Sequence, residues 1–171
     1  MNSTMPTVFI VDDDPSVLKA LARLMRSAGL NAATFASPQD FLARHDQNAP
    51  GCLVLDVAMP HINGLELQKL LAASSSELPV IFLTGHGDIP MSVRAIKQGA
   101  VDFLTKPVHD SVLIEAIHGA IEKNRIARQA RVNQNELQQR LAMLTQLERE
   151  VLSQVVSGKR NRQIAADLGT V

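Results

Sequence analysis

Residues 80–107 read VIFLTGHGDIPMSVRAIKQGAVDFLTKP, and the order of side-chain types in this stretch decides the fold. Val80, Ile81, Phe82 and Leu83 form a short apolar run that ends at Thr84 and a loop holding Gly85 and Gly87. A strand buried on both faces reads this way. An amphipathic helix fits 90–98, and a weaker apolar run over 101–104 leads to Lys106-Pro107. Strand, helix and strand in that order form a crossover unit, the connection that parallel neighbours require.

The same alternation extends toward the N-terminus. Apolar runs at 7–11 (TVFIV) and 52–55 (CLVL) are bounded by Asp, Pro or Gly, and 32–35 supplies a weaker strand. Val17, Leu18, Leu21, Leu24, Met25 and Ala28 recur at helical spacing between Pro15 and Gly29. Ser37-Pro38 opens a second helix, 64–73 (GLELQKLLAA) gives a third, and Asp110 is expected to cap a fifth carrying Leu113, Ile114, Ile117 and Ile121. Five strand–helix units predict a doubly wound α/β domain with a five-stranded parallel sheet, followed by a long linker helix and a partial all-α helix-turn-helix segment. Ligands of such sheets bind outside the carboxyl ends of the strands.

The chain of 171 residues and 18.6 kDa has room for one ordinary domain and a smaller partner. With five Phe and neither Tyr nor Trp the core is aliphatic, and stacking platforms for single-stranded nucleic acid are not expected. Cys52 alone excludes an internal disulfide and a cysteine-rich zinc site, and is expected to pack in its strand. No uncharged apolar run approaches a membrane span, and the N-terminus reaches Asp12 without a basic, then apolar, leader. A cytoplasmic protein without membrane contact is expected. The formal net charge of zero hides a division: residues 1–120 hold 8 Lys+Arg against 12 Asp+Glu, and residues 121–171 hold 9 against 5.

Polar residues stand at the strand ends in an ordered way: Asp12 and Asp13 after the first, Asp56 after the third, Thr84 after the fourth and Lys106 past the fifth. The proposed sheet converges them on one cleft, where three carboxylates repel unless a cation joins them. Mg²⁺ suits such a site. The parts then read as Asp56 acting as nucleophile toward a phosphoryl group, Mg²⁺ and Lys106 neutralising its oxygens, and the Thr84 hydroxyl donating. No nucleotide-binding glycine motif is present, and no histidines stand at metal-ligand spacing.

VFIVDDDPSV (8–17), LVLDVAMPHINGLEL (53–67) and the 80–107 string resemble the receiver domain of two-component response regulators, and the third string is most similar to the FixJ-type branch of the FixJ/NarL (LuxR-type) class. The resemblance implies a flavodoxin-like sheet of order 2-1-3-4-5, with Asp56 as phosphoacceptor for a cognate histidine kinase. It also implies Asp12, Asp13, Asp56 and the Ala58 backbone carbonyl as metal ligands, Thr84 as switch hydroxyl, Lys106 as the phosphate-binding lysine and a cis bond at Lys106-Pro107. Phe103 is implied as the switch aromatic, although the residues alone equally describe a core Phe. A phosphorylation-dependent homodimer through the fourth-helix and fifth-strand face is implied, and Val93 and Lys97 are the patch candidates.

The organisation expected is a receiver over 1–121, a helical linker over 122–142 and a curtailed helix-turn-helix segment over 143–171. The stretch LTQLEREVLSQVVSGKRNRQIAADL (144–168) resembles the opening of a LuxR-type domain, whose recognition helix lies beyond the sequence given. Promoter DNA is therefore an expected partner of the full-length protein and not of residues 1–171 by themselves. The alternative is a DNA-free receiver acting as a phosphate sink or interaction module. A phosphomonoester hydrolase is the third reading, disfavoured because Ala58 stands where such enzymes need a base; no enzymatic activity beyond self-phosphorylation and slow self-dephosphorylation is expected.

Overall fold

The computed structural model describes residues 5–169. Its strands are β1 (Thr7–Val11), β2 (Asn31–Phe35), β3 (Gly51–Leu55), β4 (Val80–Thr84) and β5 (Asp102–Thr105). The helices are α1 (Pro15–Ser27), α2 (Pro38–Arg44), α3 (Gly64–Ala73), α4 (Ile89–Lys97), α5 (Asp110–Met143), α6 (Gln146–Val156) and α7 (Asn161–Asp167). The strands form one parallel sheet in the order β2-β1-β3-β4-β5, the flavodoxin-like order expected. The chain divides into two compact units, one up to Arg128 and one from Gln129.

In the first unit, period-two alternation sends successive strand residues to opposite faces. Phe9, Val11, Leu53, Leu55, Val80 and Phe82 join Phe41, Leu67, Leu71 and Ala95 on one face. Val8, Ile10, Cys52, Val54, Ile81 and Leu83 join Met25, Leu113, Ile117 and Ala120 on the other. Each fully buried side chain of this size contributes about 1.5–3 kcal/mol, which is why the three central strands are apolar without interruption. Burial pushes the Cys52 thiol up to about 12, as a packed rather than reactive cysteine requires.

Side-chain caps set most of the helix starts. Asp14, Ser37 and Asp88 accept from Ser16, Asp40 and Met91 N–H groups, and Asn63 forms a reciprocal capping box with Glu66. The cap expected at Asp110 is corrected. Asp110 is the first residue of α5, and the Val112 and Leu113 N–H groups both donate to the His109 carbonyl, at 3.0 and 3.2 Å. Its carboxylate instead stands in the first turn, where the helix dipole favours a negative charge.

Asn124 on α5 is buried and bonds at both ends of its amide. Its Oδ1 accepts from Gly51 N–H at 3.1 Å and its Nδ2 donates to the Glu77 carbonyl at 2.9 Å. The helix is thereby fastened to the start of β3 and to the segment entering β4.

In the second unit, α6 opens on a capping box in which Thr145 N–H donates to Glu148 Oε2 at 2.7 Å and Glu148 N–H donates to Thr145 Oγ1 at 3.3 Å. The Thr145 backbone and hydroxyl donors hold the Glu148 carboxyl below its ordinary range. Arg149 donates to the Ala142 carbonyl at 3.1 Å, and Lys159 pairs with Asp167 at 2.5 Å. Among the described residues of this unit Ile164 alone is buried, while Leu147, Leu152, Val155 and Val156 are exposed. No helix among the described residues is long and apolar enough to cross a membrane.

Replacing Asn124 with Leu leaves the Gly51 N–H and the Glu77 carbonyl without this partner and is expected to destabilise the first unit by about 1–3 kcal/mol. A urea titration checks this; an unchanged midpoint and slope would show the clamp to be energetically idle.

Candidate functional site

The strand order reverses between β1 and β3, the position at which open α/β sheets leave a crevice. Val11 pairs with Leu55 in register, so the next residues, Asp12 and Asp56, leave the sheet side by side. Asp56 N–H donates to the Val11 carbonyl at 3.0 Å, and Asp12 N–H to the Phe35 carbonyl at 3.2 Å, which fixes both backbones as the strands end.

One carboxylate oxygen from each of Asp12, Asp13 and Asp56 lies within 4.8 Å of the others. Asp12 and Asp56 are buried, and Asp13 opens to solvent. Carboxylates this close and this dry repel strongly. Lys106 answers part of that charge, its Nζ standing 2.6 Å from Asp12 Oδ2. Asp12 Oδ1 accepts from Asp14 N–H at 2.9 Å, and Asp56 Oδ1 accepts from Val57 N–H at 2.8 Å. Three carboxylates against one ammonium leave an excess of negative charge among hard oxygen donors. That donor set fits a small divalent cation.

Thr84 ends β4 fully buried, and its Oγ1 accepts from His86 N–H at 3.3 Å. Lys106 N–H donates to the Thr84 carbonyl at 2.8 Å, continuing the β4–β5 ladder in which Thr84 pairs with Thr105. Lys106 therefore starts at the far edge of the sheet, and its long side chain reaches back to Asp12. The Lys106-Pro107 bond is cis. Phe103 pairs with Phe82 in register, with ring centroids 5.8 Å apart, and is half-buried. Ala58 is exposed in the turn after β3, and Val93 and Lys97 are exposed one turn apart on α4.

Two supporting residues escape a reading of the sequence by residue type. Gly64 begins α3 where the chain runs against the end of β3: its N–H donates to the Val57 carbonyl at 3.0 Å, and a Cβ there would drive into the Asp56 carbonyl oxygen. The Asn63-x-x-Glu66 box in HINGLEL signals that a helix starts here, but nothing in the string reports the close approach. Gly87 faces the Phe103 ring in a similar way.

A flavodoxin-like sheet with an acid triad and a lysine gathered at its switch point defines a receiver module. The chain belongs to the response regulators: the profile of the family described as response regulator receiver domain matches residues 8–118. Nodulation protein W of Bradyrhizobium diazoefficiens is 43% identical over 167 residues, covering 98% of this chain and 74% of that protein. The transcriptional regulatory protein FixJ of Rhizobium meliloti is 44% identical over 163 residues, covering 95% and 79%. A solved structure of the response regulator StyR superposes with a TM-score of 0.88 at 46% identity, covering 98% of this chain and 84% of that one. The FixJ-like branch is thereby supported.

Gly64→Ala places a methyl group against backbone that no side-chain rotation relieves. It is expected to cost about 1–3 kcal/mol and to shift the Asp56 and Val57 amide resonances. Wild-type stability and an unshifted spectrum would contradict the close approach.

Proposed function

We propose that this chain is a two-component phosphorelay regulator whose phosphoacceptor is Asp56. The observation that carries the reading is the meeting of Asp12, Asp13 and Asp56 around a lysine-paired pocket. With Asp56 Oδ1 held by the Val57 N–H, Oδ2 is the oxygen available for attack. It attacks the phosphorus of a phosphohistidine presented by a histidine kinase, forming an O–P bond as the N–P bond breaks. The electron pair of the broken bond stays on the departing imidazole nitrogen, which takes its proton from solvent, and a mixed anhydride remains on Asp56.

Lys106 is the cation placed to meet the transferred oxygens, and Thr84 is the hydroxyl placed to donate to them. Asp12, Asp13, Asp56 and the Ala58 backbone carbonyl would hold Mg²⁺, which supplies charge neutralisation at the phosphoryl oxygens. The chemistry is a single transfer to self, with slow self-dephosphorylation rather than turnover of a substrate.

The output follows from the same reading. Thr84, drawn toward the phosphoryl group, releases space for Phe103 to move inward, and the α4–β5 face with Val93 and Lys97 becomes the homodimer surface. Residues 1–121 serve as receiver, 122–142 as helical linker and 143–171 as the opening of a LuxR-type DNA-binding domain in a cytoplasmic regulator. Relatives named transcriptional regulatory proteins, FixJ of Rhizobium meliloti and TdiR of Thauera aromatica, favour promoter control by the full-length protein over a DNA-free phosphate sink.

Incubation with acetyl phosphate and Mg²⁺ is expected to add one phosphoryl group, read as a mass increase by intact mass spectrometry. Asp56→Asn is expected to abolish it. Retained labelling in that variant, at any residue and to the wild-type extent, would overturn the assignment.

A further inference from the structure

The loop after β4 carries two glycines, and neither takes a positive φ, so neither is demanded by backbone conformation. Their surroundings differ. A Cβ on Gly85 would meet nothing within 4 Å. A Cβ on Gly87 would lie 2.7 Å from Phe103 Cε1, 3.0 Å from Phe103 Cζ and 3.3 Å from the Thr84 methyl carbon. The edge of the Phe103 ring thus occupies the space a side chain at position 87 would fill, with Phe82 flanking the ring at 5.8 Å.

We propose that Gly87 is a positioning residue for the switch: its bare Cα is the seat on which the Phe103 ring rests beside Thr84. The functional part of this proposal depends on the assignment of Thr84 and Phe103 as a coupled pair. The steric part does not. A methyl group at 87 and the ring in its present place are incompatible, since contacts under 3.0 Å are not tolerated between carbons. The half-buried ring, with two rotatable torsions, gives way more readily than the end of the fully buried β4. Position 87 therefore controls whether the ring can stand on the loop side, next to the threonine, before any phosphoryl group arrives.

The chemistry at Asp56 does not pass through Gly87. Its substitution is expected to separate two quantities that otherwise move together, the extent of phosphorylation and the dimerisation that follows.

The test uses the whole chain. In the unphosphorylated wild type, a nuclear Overhauser contact is expected between the Gly87 Hα atoms and the Phe103 ring. Gly87→Ala is expected to move the Phe103 ring resonances and abolish its contact with position 87, while Gly85→Ala, which adds the same methyl to open space, leaves both intact. After acetyl phosphate and Mg²⁺, Gly87→Ala is expected to reach wild-type phosphorylation by mass, yet to dimerise at a protein concentration about fivefold lower, because the methyl group penalises the loop-side place of the ring and not the inward one, by the low end of an overpacking penalty.

Because the effect runs through the ring, it is expected to vanish when Gly87→Ala is made in a Phe103→Ala background. Unmoved Phe103 resonances in Gly87→Ala would overturn the seat, as would an equal dimerisation shift in the Phe103→Ala background. Failure of wild type itself to label would instead refute the reading of Asp56 and leave the ring measurement standing.

Discussion

Two carboxylates of like charge, Asp12 and Asp56, leave adjacent strands side by side and nearly out of water, with Asp13 beside them. This repulsion is the constraint on which the rest depends. Hydrophobic burial on both faces of the sheet holds the strand ends in register, so the acids cannot move apart without breaking the Val11–Leu55 pairing. What remains is to supply positive charge. Lys106 supplies part, from a strand three places away, and the remaining deficit suits the pocket to a cation.

Burial bears on the sensor role proposed for the same pocket. Thr84 is enclosed, and its hydroxyl oxygen accepts from the His86 N–H at 3.3 Å, a long bond that leaves the hydroxyl hydrogen to be donated to an acceptor such as a phosphoryl oxygen. Beyond it lie the half-buried Phe103 and a loop whose Gly87 leaves room for the ring. Thr84 and Phe103 both stand against the Gly87 position, and under the proposed assignment they are the groups through which a change in charge at Asp56 would reach the α4–β5 face.

The fold was legible because its signals are local. Continuous apolar runs such as TVFIV and VIFL, punctuated by Asp, Gly and Pro, declare buried parallel strands, and their order places Asp12, Asp13, Asp56, Thr84 and Lys106 at one end of the sheet. Features that depend on distant partners were not legible. Asn124 looks like one more polar residue of a polar helix, and only the fold shows its amide bonded to Gly51, 73 residues away. Gly64 and Gly87 carry no sign of what presses against them. Asp110 has the composition of a cap yet is the first residue of α5 itself, and residue type alone does not distinguish the two neighbouring positions. The apolar positions of α6 were visible, but the exposure of Leu147, Leu152 and Val155 was not.

The most direct measurement is paramagnetic. Mn²⁺ titrated at substoichiometric levels into ¹⁵N-labelled protein, as a probe for Mg²⁺, is expected to broaden the amides of Asp12, Asp13, Asp56 and their immediate neighbours first, and excess Mg²⁺ is expected to restore them. In Asp13→Asn the same broadening is expected only at higher Mn²⁺. Broadening centred elsewhere, or spread evenly over the acidic surface, would contradict the claim that these carboxylates form one cation-holding pocket.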